Sequence, residues 1–185
     1  AEASESGVPC HTPDTIMRVD ELPKRLVILG SGFIAAEFAH IFSAFGSKVT
    51  FVARHDAVLR QLDAEISQRF TAIAQEQWDV RLNTTLTKVT GDQSEVRLDF
   101  ADGTHASGDV LLVATGRVPN TSNLGLAQAG IETHEDGRVR VDAYGRTTVE
   151  GVWALGDVSS DFQLKHVANH EARVVAHNLA HPGDL

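Results

Sequence analysis

The sequence of 185 residues carries 16 Lys and Arg against 25 Asp and Glu, a formal charge of -9. That balance argues against a nucleic-acid surface, which needs a concentrated basic face. Hydrophobic residues make up 42% and charged residues 22%, as in ordinary globular domains, and no apolar run approaches the roughly 20 residues of a membrane-spanning helix. The length suits one domain and the start of a second, and the lone cysteine, Cys10, excludes an internal disulfide framework and points to a reducing, cytoplasmic setting.

Ala1-Glu2-Ala3-Ser4 opens the chain in the manner of a cut connector, and residues 1–22, with Gly7, Pro9 and Pro13, read as connector containing about one helical turn. Leu26-Val27-Ile28-Leu29 is a short apolar run ending at Gly30, the pattern of a strand buried on both faces. Residues 33–45 are small and apolar and stop at Gly46, which predicts a helix closed by glycine. Residues 49–52 predict a second strand, residues 63–77 a second helix with Asp63 as its N-cap, and residues 79–82 a third strand. The pattern then changes: residues 86–90, 95–100 and 104–107, punctuated by Gly91-Asp92 and Asp102-Gly103, predict an antiparallel meander. Residues 109–114 return to the continuous apolar character of a buried parallel strand. Residues 152–155 predict another, ending at Gly156-Asp157, and residues 166–180 the last helix.

Gly30-Ser31-Gly32-Phe33-Ile34-Ala35 falls where a strand must turn sharply into a helix. In a dinucleotide-binding loop the first glycine permits the tight turn and the second lets a pyrophosphate approach the backbone. The small third residue lets the helix pack closely on the sheet. Free amides and the helix dipole then favour phosphate. The plain alternative is ordinary turn chemistry. An NAD site carries an acid at the end of the second strand, where it accepts from the ribose hydroxyls. This chain has Ala53, followed by Arg54, His55 and Arg60, which suits the dianionic 2′-phosphate of NADPH because guanidinium can bind it bidentately. A solvated basic turn balanced by Asp56 and Asp63 is the bland alternative.

With these residues assembled, the sequence resembles the middle of the flavoprotein (pyridine nucleotide) disulfide reductase family. VILGSGFIAAE (27–37) is similar to the family's NAD(P)H loop, and RHDAVLR (54–60) to the NADPH-selecting stretch of its glutathione reductase branch. ATGRVPN (114–120) resembles the crossover back to the FAD domain, TVEGVWALGDV (148–158) the second FAD motif, and residues 164–173 look most like the mycothione reductase branch. The resemblance implies an α/β fold: a Rossmann-like three-layer nucleotide-binding domain over 23–120, with an antiparallel β-meander crossover, and a partial FAD-domain segment over 121–185. It implies that Gly30, Ser31 and Gly32 face the NADPH pyrophosphate and that Ile34 and Glu37 lie along the nicotinamide side, with Ala35 packing the helix onto the sheet and Phe33 as a moving aromatic gate at the same coenzyme site. Arg54, His55 and Arg60 would serve the 2′-phosphate, and Gly116 and Arg117 would lie near the nucleotide. Gly156, Asp157, Lys165 and His166 would serve FAD, Asp157 accepting from its ribityl chain. Phe33 departs from the tyrosine that glutathione reductase places over the flavin and lacks its hydroxyl.

The family's relay passes electrons from NADPH through FAD to a cysteine pair and on to a small-molecule disulfide, in a homodimeric protein. One cysteine cannot form and resolve a mixed disulfide, so the expectation is an excised middle segment that binds NADPH, binds FAD weakly or not at all, and does not turn over disulfide. A glutathione reductase-like or lipoamide dehydrogenase-like member and a non-catalytic dinucleotide-binding module are the alternatives, with Arg54 and Arg60 disfavouring the lipoamide dehydrogenase branch. His166 and His170, and His177 and His181, stand four apart on the last predicted helix. Without an obvious third ligand they read as surface and flavin-edge histidines rather than a metal site.

Overall fold

The computed structural model describes residues 7–181 and 183, so the opening tetrapeptide read as a cut connector lies outside the described residues. The chain forms two compact units that divide between Gly116 and Arg117. In the first, strand β1 (Cys10–His11) and the one-turn helix α1 (Pro13–Ile16) lead into β2 (Arg25–Leu29), α2 (Phe33–Ala44) and β3 (Lys48–Val52). Next come α3 (Ala64–Gln77), β4 (Asp79–Arg81), β5 (Leu86–Gly91), β6 (Val96–Phe100), β7 (His105–Gly108) and β8 (Val110–Val113). The parallel sheet has the order β1-β8-β2-β3-β4, while β5-β6-β7 forms a separate antiparallel sheet. This is the α/β fold with an antiparallel meander that the sequence predicts.

Strand alternation divides the core into two layers. Leu26 and Ile28 of β2, Val49 and Phe51 of β3 and Leu112 of β8 pack with Ala35, Ala39 and Phe42 of α2 on one face. Val27, Val52 and Leu111 turn to the other face, against Val96, Leu98, Phe100 and Ala106 of the meander. Both faces of the parallel sheet are therefore covered, which is why its strands read as unbroken apolar runs. The stretch read as connector does more than link: Cys10 and His11 pair in parallel with Leu111 and Leu112 at the edge of the sheet. A two-residue strand held by a neighbour distant in sequence leaves no periodic signal of its own.

The ends of the sheet remote from the glycine loop are tied by charge. The Asp109 carboxylate accepts from the Arg25 amide and Nε, each at 2.9 Å, and the Arg25 guanidinium also reaches Glu95 at 3.0 Å. Burial pushes the Asp109 carboxyl up, but the hydrogen bonds from Arg25 outweigh it and hold the group below the ordinary value of 3.8. A carboxyl lowered on folding contributes stability above its unfolded pKa, and that contribution is lost as pH falls through the lower folded value. Asp109→Asn is thus expected to melt below the wild type at neutral pH. The gap should narrow as pH is taken below 3.8, measured by thermal melts across that range.

In the second unit, α4 (Lys165–Ala180) is the one long helix among the described residues. It is anchored by Val175 and Asn178, both buried, and Asn178 donates from Nδ2 to the Tyr144 carbonyl at 3.1 Å. The expectation of a buried parallel strand at 152–155 is corrected here. These residues are only half-buried, and Trp153 makes a single antiparallel bridge to Arg146. The Ala154 amide donates to the Gly145 carbonyl and the Thr147 amide to the Val152 carbonyl, both at 3.0 Å. The run is folded back on its own preceding turn, and among the described residues it has no parallel ladder on either side. An apolar run becomes a buried parallel strand only where such neighbours take its backbone groups. Among the described residues, no helix is long and apolar enough to cross a membrane.

Candidate functional site

β2 ends where the chain must leave the sheet and begin α2, and Gly30 makes that turn at φ +146, its amide donating to the Val52 carbonyl at 3.0 Å. A Cβ at Gly30 would stand 2.2 Å from the Ala114 carbonyl oxygen, so neither the conformation nor the space admits a side chain. Gly32 is different. Its φ of -85 suits any residue, and a Cβ there would meet nothing within 4 Å. The fold demands glycine at 30 but not at 32, where bare backbone leaves room for a group to come close. Gly32 is also the N-cap of α2, without a side-chain cap and with no acid in the first turn. The first amides of a twelve-residue helix therefore carry their partial positive charge uncompensated by an acid. Ala35, fully buried, lets that helix lie close on the sheet.

Across from this loop, β3 runs out through Ala53 to Arg54 and His55. The Ala53 carbonyl accepts from the Thr84 amide at 3.0 Å and the His55 carbonyl from the Asn83 amide at 2.9 Å, which ties this exit to the end of β4. Leu29, Gly30, Ser31, Val52, Arg54, His55, Thr84, Thr85, Leu86 and Thr115 line one cleft of 380 Å³ at the carboxyl ends of the parallel strands. That is where α/β sheets bind nucleotides. Arg54 is exposed, and among the described residues neither it nor His55 forms an ion pair. The cleft is thus a basic pocket beside a phosphate-competent helix start, with no carboxylate among its lining residues.

The structure brings Gly30, Ser31, Arg54 and His55 together and leaves other candidates elsewhere. Arg60 does not line the cleft; its Nε lies 3.7 Å from the Asp56 carboxylate on the exposed side of the loop. Phe33 and Glu37 face a separate groove between α2 and α3, shared with His40, Phe70, Ile73 and Trp78, and Ile34 packs against the core. Gly116, at φ +155, is the last residue of the first unit. Arg117 belongs to the second, where its guanidinium pairs with the Asp157 carboxylate and donates to the Gln163 carbonyl at 3.3 Å. Thr84, Thr85, Leu86 and Thr115 are lining residues that the sequence does not announce. They carry no motif, and their membership follows from strand order alone.

Two backbone positions near the cleft are left-handed without being glycine, Leu59 at φ +58 and Asn83 at φ +52. Asparagine tolerates this conformation. A leucine there costs roughly 1–2 kcal/mol, a strain that persists only where neighbours hold it.

In the second unit, Gly156 takes φ +72 at the start of a short 3-10 turn, and its amide donates to the Glu171 carboxylate at 2.6 Å. α4 begins at Lys165 behind Leu164, with no side-chain cap and no acid in its first turn. The amides at Lys165 and His166 are free to meet an electron-rich ligand edge, so this donor set fits the flavin group that the motifs imply. Asp157 fits less completely, since Arg117 already engages its Oδ2. His177 and His181 stack with ring centroids 4.6 Å apart. Cys10 is half-buried, and burial pushes its thiol up, away from the thiolate that disulfide chemistry requires.

A parallel α/β unit with a glycine loop beside a basic cleft is the arrangement on which dinucleotide-binding folds are built. Comparison with known proteins narrows the class. The profile of the pyridine nucleotide-disulphide oxidoreductase family matches residues 4–172, and the chain belongs to that family. It is 57% identical over 176 residues to mycothione reductase of Mycobacterium tuberculosis (strain ATCC 25618 / H37Rv), an alignment covering 94% of this chain and 38% of that protein. It is 35% identical over 178 residues to trypanothione reductase of Leishmania donovani, covering 91% and 36%. Among solved structures, the Cu(II) complex of the HOCl-induced flavoprotein disulfide reductase RclA from Escherichia coli superposes with a TM-score of 0.90 at 31% identity, covering 98% of this chain and 42% of that one. The chain spans less than two-fifths of the length of these curated relatives.

Proposed function

We propose that this chain is the NADPH-binding part and the second FAD-binding segment of an FAD-dependent oxidoreductase that reduces a low-molecular-weight disulfide, with mycothione as its substrate. The observation that carries the reading is the pairing of Gly30 and Ser31 with Arg54 and His55 around one cleft, at the end of a strand that leaves through Ala53 rather than an acid. Gly32 and the uncapped start of α2 receive the pyrophosphate. Arg54 takes the 2′-phosphate through charge-assisted hydrogen bonds, which NADH has no group to accept. A carboxylate in that position would instead repel the phosphate, so the absence of one from the cleft lining supports the same coenzyme. The identity to mycothione reductase supports the choice of disulfide.

FAD, when bound, supplies the two-electron relay between nicotinamide and thiols. Asp157 would accept from its ribityl hydroxyl, and the Lys165 and His166 amides would stabilise negative charge on the reduced group. Glu171 keeps the Gly156 turn in place by accepting from its amide. The dithiol step needs two cysteines, whereas this chain has only Cys10, so the chain alone is a nucleotide-binding module without turnover. The working protein is a homodimer in the cytoplasm.

Two assays test the reading. The chain incubated with NADPH, FAD and mycothione should consume NADPH no faster than a blank; disulfide-dependent consumption contradicts the assignment of the relay to thiols other than Cys10. The whole flavoprotein containing this sequence should reduce mycothione with a higher kcat/KM than glutathione disulfide, and the reverse order contradicts the substrate.

A further inference from the structure

The loop that carries Arg54 and Arg60 is held in part by groups that do not line the cleft. Val58, fully buried at its centre, has both of its backbone groups taken by two hydroxyls of α3. Its amide donates to Thr71 Oγ1 at 2.9 Å, and its carbonyl accepts from Ser67 Oγ at 2.7 Å. Thr71 Oγ1 in turn donates to the Ser67 carbonyl at 2.7 Å, which fixes the direction of its lone pairs toward Val58. Both hydroxyl residues are themselves buried. The next residue, Leu59, has the left-handed backbone, and its amide donates to the Ser31 carbonyl in the glycine loop at 2.7 Å. The Leu62 amide closes back on the Leu59 carbonyl at 2.9 Å, and Asp63 then caps α3 by accepting from the Glu65 amide at 2.9 Å.

The loop is therefore pinned on two sides, to α3 through Val58 and to the glycine loop through Leu59. Its first residues are pinned a third way, by the Asn83 and Thr84 amides at the end of β4. Strain at a bulky residue survives when the surroundings over-determine it, and such positions cluster where geometry matters for function.

We infer that Ser67 and Thr71, acting through Val58 and the strained turn at Leu59, are positioning residues that set the distance between the 2′-phosphate-binding loop and the pyrophosphate-binding loop. They thereby set the preference for NADPH over NADH. The inference rests on the NADPH reading of the cleft. A bidentate contact between guanidinium and phosphate depends on placement, because both hydrogen bonds must form at once. A pyrophosphate held by the first amides of α2 is placed by the helix start and the sheet, to which this loop adds only the bond from the Leu59 amide to the Ser31 carbonyl. Loosening the loop should therefore weaken NADPH and spare NADH.

The test is calorimetric titration of the chain with NADPH and with NADH, run on the wild type, Thr71→Val, Thr71→Ser and Ser67→Ala. Thr71→Val keeps the shape and removes the hydroxyl; its NADPH affinity should fall about tenfold while NADH changes by less than about twofold. Thr71→Ser restores the hydroxyl and with it the preference. Ser67→Ala, which deletes one bond only, should move selectivity in the same direction and carries the test if Thr71→Val does not fold. An unchanged ratio of affinities in the folded variants, or equal losses for both coenzymes, overturns the positioning role. A wild type that binds NADH as tightly as NADPH overturns the coenzyme reading instead, and the inference with it.

Discussion

Replacing Arg54 with alanine is expected to lower NADPH affinity by about ten- to hundred-fold and to leave NADH affinity within about twofold. A charge-assisted hydrogen bond contributes about 1.5–3 kcal/mol, and a tenfold change corresponds to about 1.4 kcal/mol. The size of the effect follows from the site. Arg54 lines the cleft, is exposed and has no carboxylate partner among the described residues, so its removal takes away a cation that nothing else neutralises. Arg60 makes the control. It lies outside the cleft lining and within 3.7 Å of Asp56, so Arg60→Ala should cost NADPH affinity much less than Arg54→Ala. Titration of both variants with both coenzymes measures this. Equal losses would mean that Arg60 swings to the phosphate when the coenzyme binds.

The second large effect separates the two glycines of the loop. Gly30→Ala should destabilise the chain by roughly 3 kcal/mol or more, because the new methyl would sit 2.2 Å from the Ala114 carbonyl oxygen at a φ that only glycine adopts freely. The obstruction is backbone at the residue just past the neighbouring strand β8, and it cannot rotate aside. Gly32→Ala should keep the melting temperature close to wild type, since its backbone is ordinary and its Cβ meets open space. Yet it should lose at least about tenfold in affinity for both NADPH and NADH, because the methyl occupies the approach of the shared pyrophosphate. Thermal melts and titrations of the two variants distinguish a residue required by the fold from one required by the ligand. A Gly32→Ala chain that binds normally would contradict the placement of the pyrophosphate at this helix start.

Much of this architecture can be read from the sequence wherever a local signal and a packing requirement coincide. Asp63 is a good N-cap by chemistry and caps α3 by accepting from Glu65. Asp92 and Asp102 sit in the two meander turns and accept from the Ser94 and Thr104 amides, as their side chains predict. The apolar runs at β2, β3 and β8 are continuous because helices cover one face of their sheet and the meander the other. The run at 152–155 is apolar as well but has no such neighbours among the described residues, and it is not a strand. Composition reports what a segment can bury, whereas only partners decide whether it enters a sheet.

The site divides along the same line. Gly30, Ser31, Arg54 and His55 carry recognisable chemistry at recognisable intervals, and they share the cleft. Thr84, Thr85 and Thr115 reach it only because β4 and β8 flank β2 and β3 in the strand order. The left-handed turn at Leu59 is invisible to any propensity, since leucine gives no sign of it; the hydrogen bonds of Ser31, Ser67 and Thr71 impose it from outside. Arg60 is a residue of the right type at a promising interval that lies outside the cleft lining, its Nε 3.7 Å from the Asp56 carboxylate.

The most direct test of the central claim is titration of the wild-type chain with NADPH and, separately, NADH, after its visible spectrum has been recorded. Binding of NADPH at least about tenfold tighter than NADH is the predicted result. Equal affinity, tighter binding of NADH, or no binding of either coenzyme would contradict it.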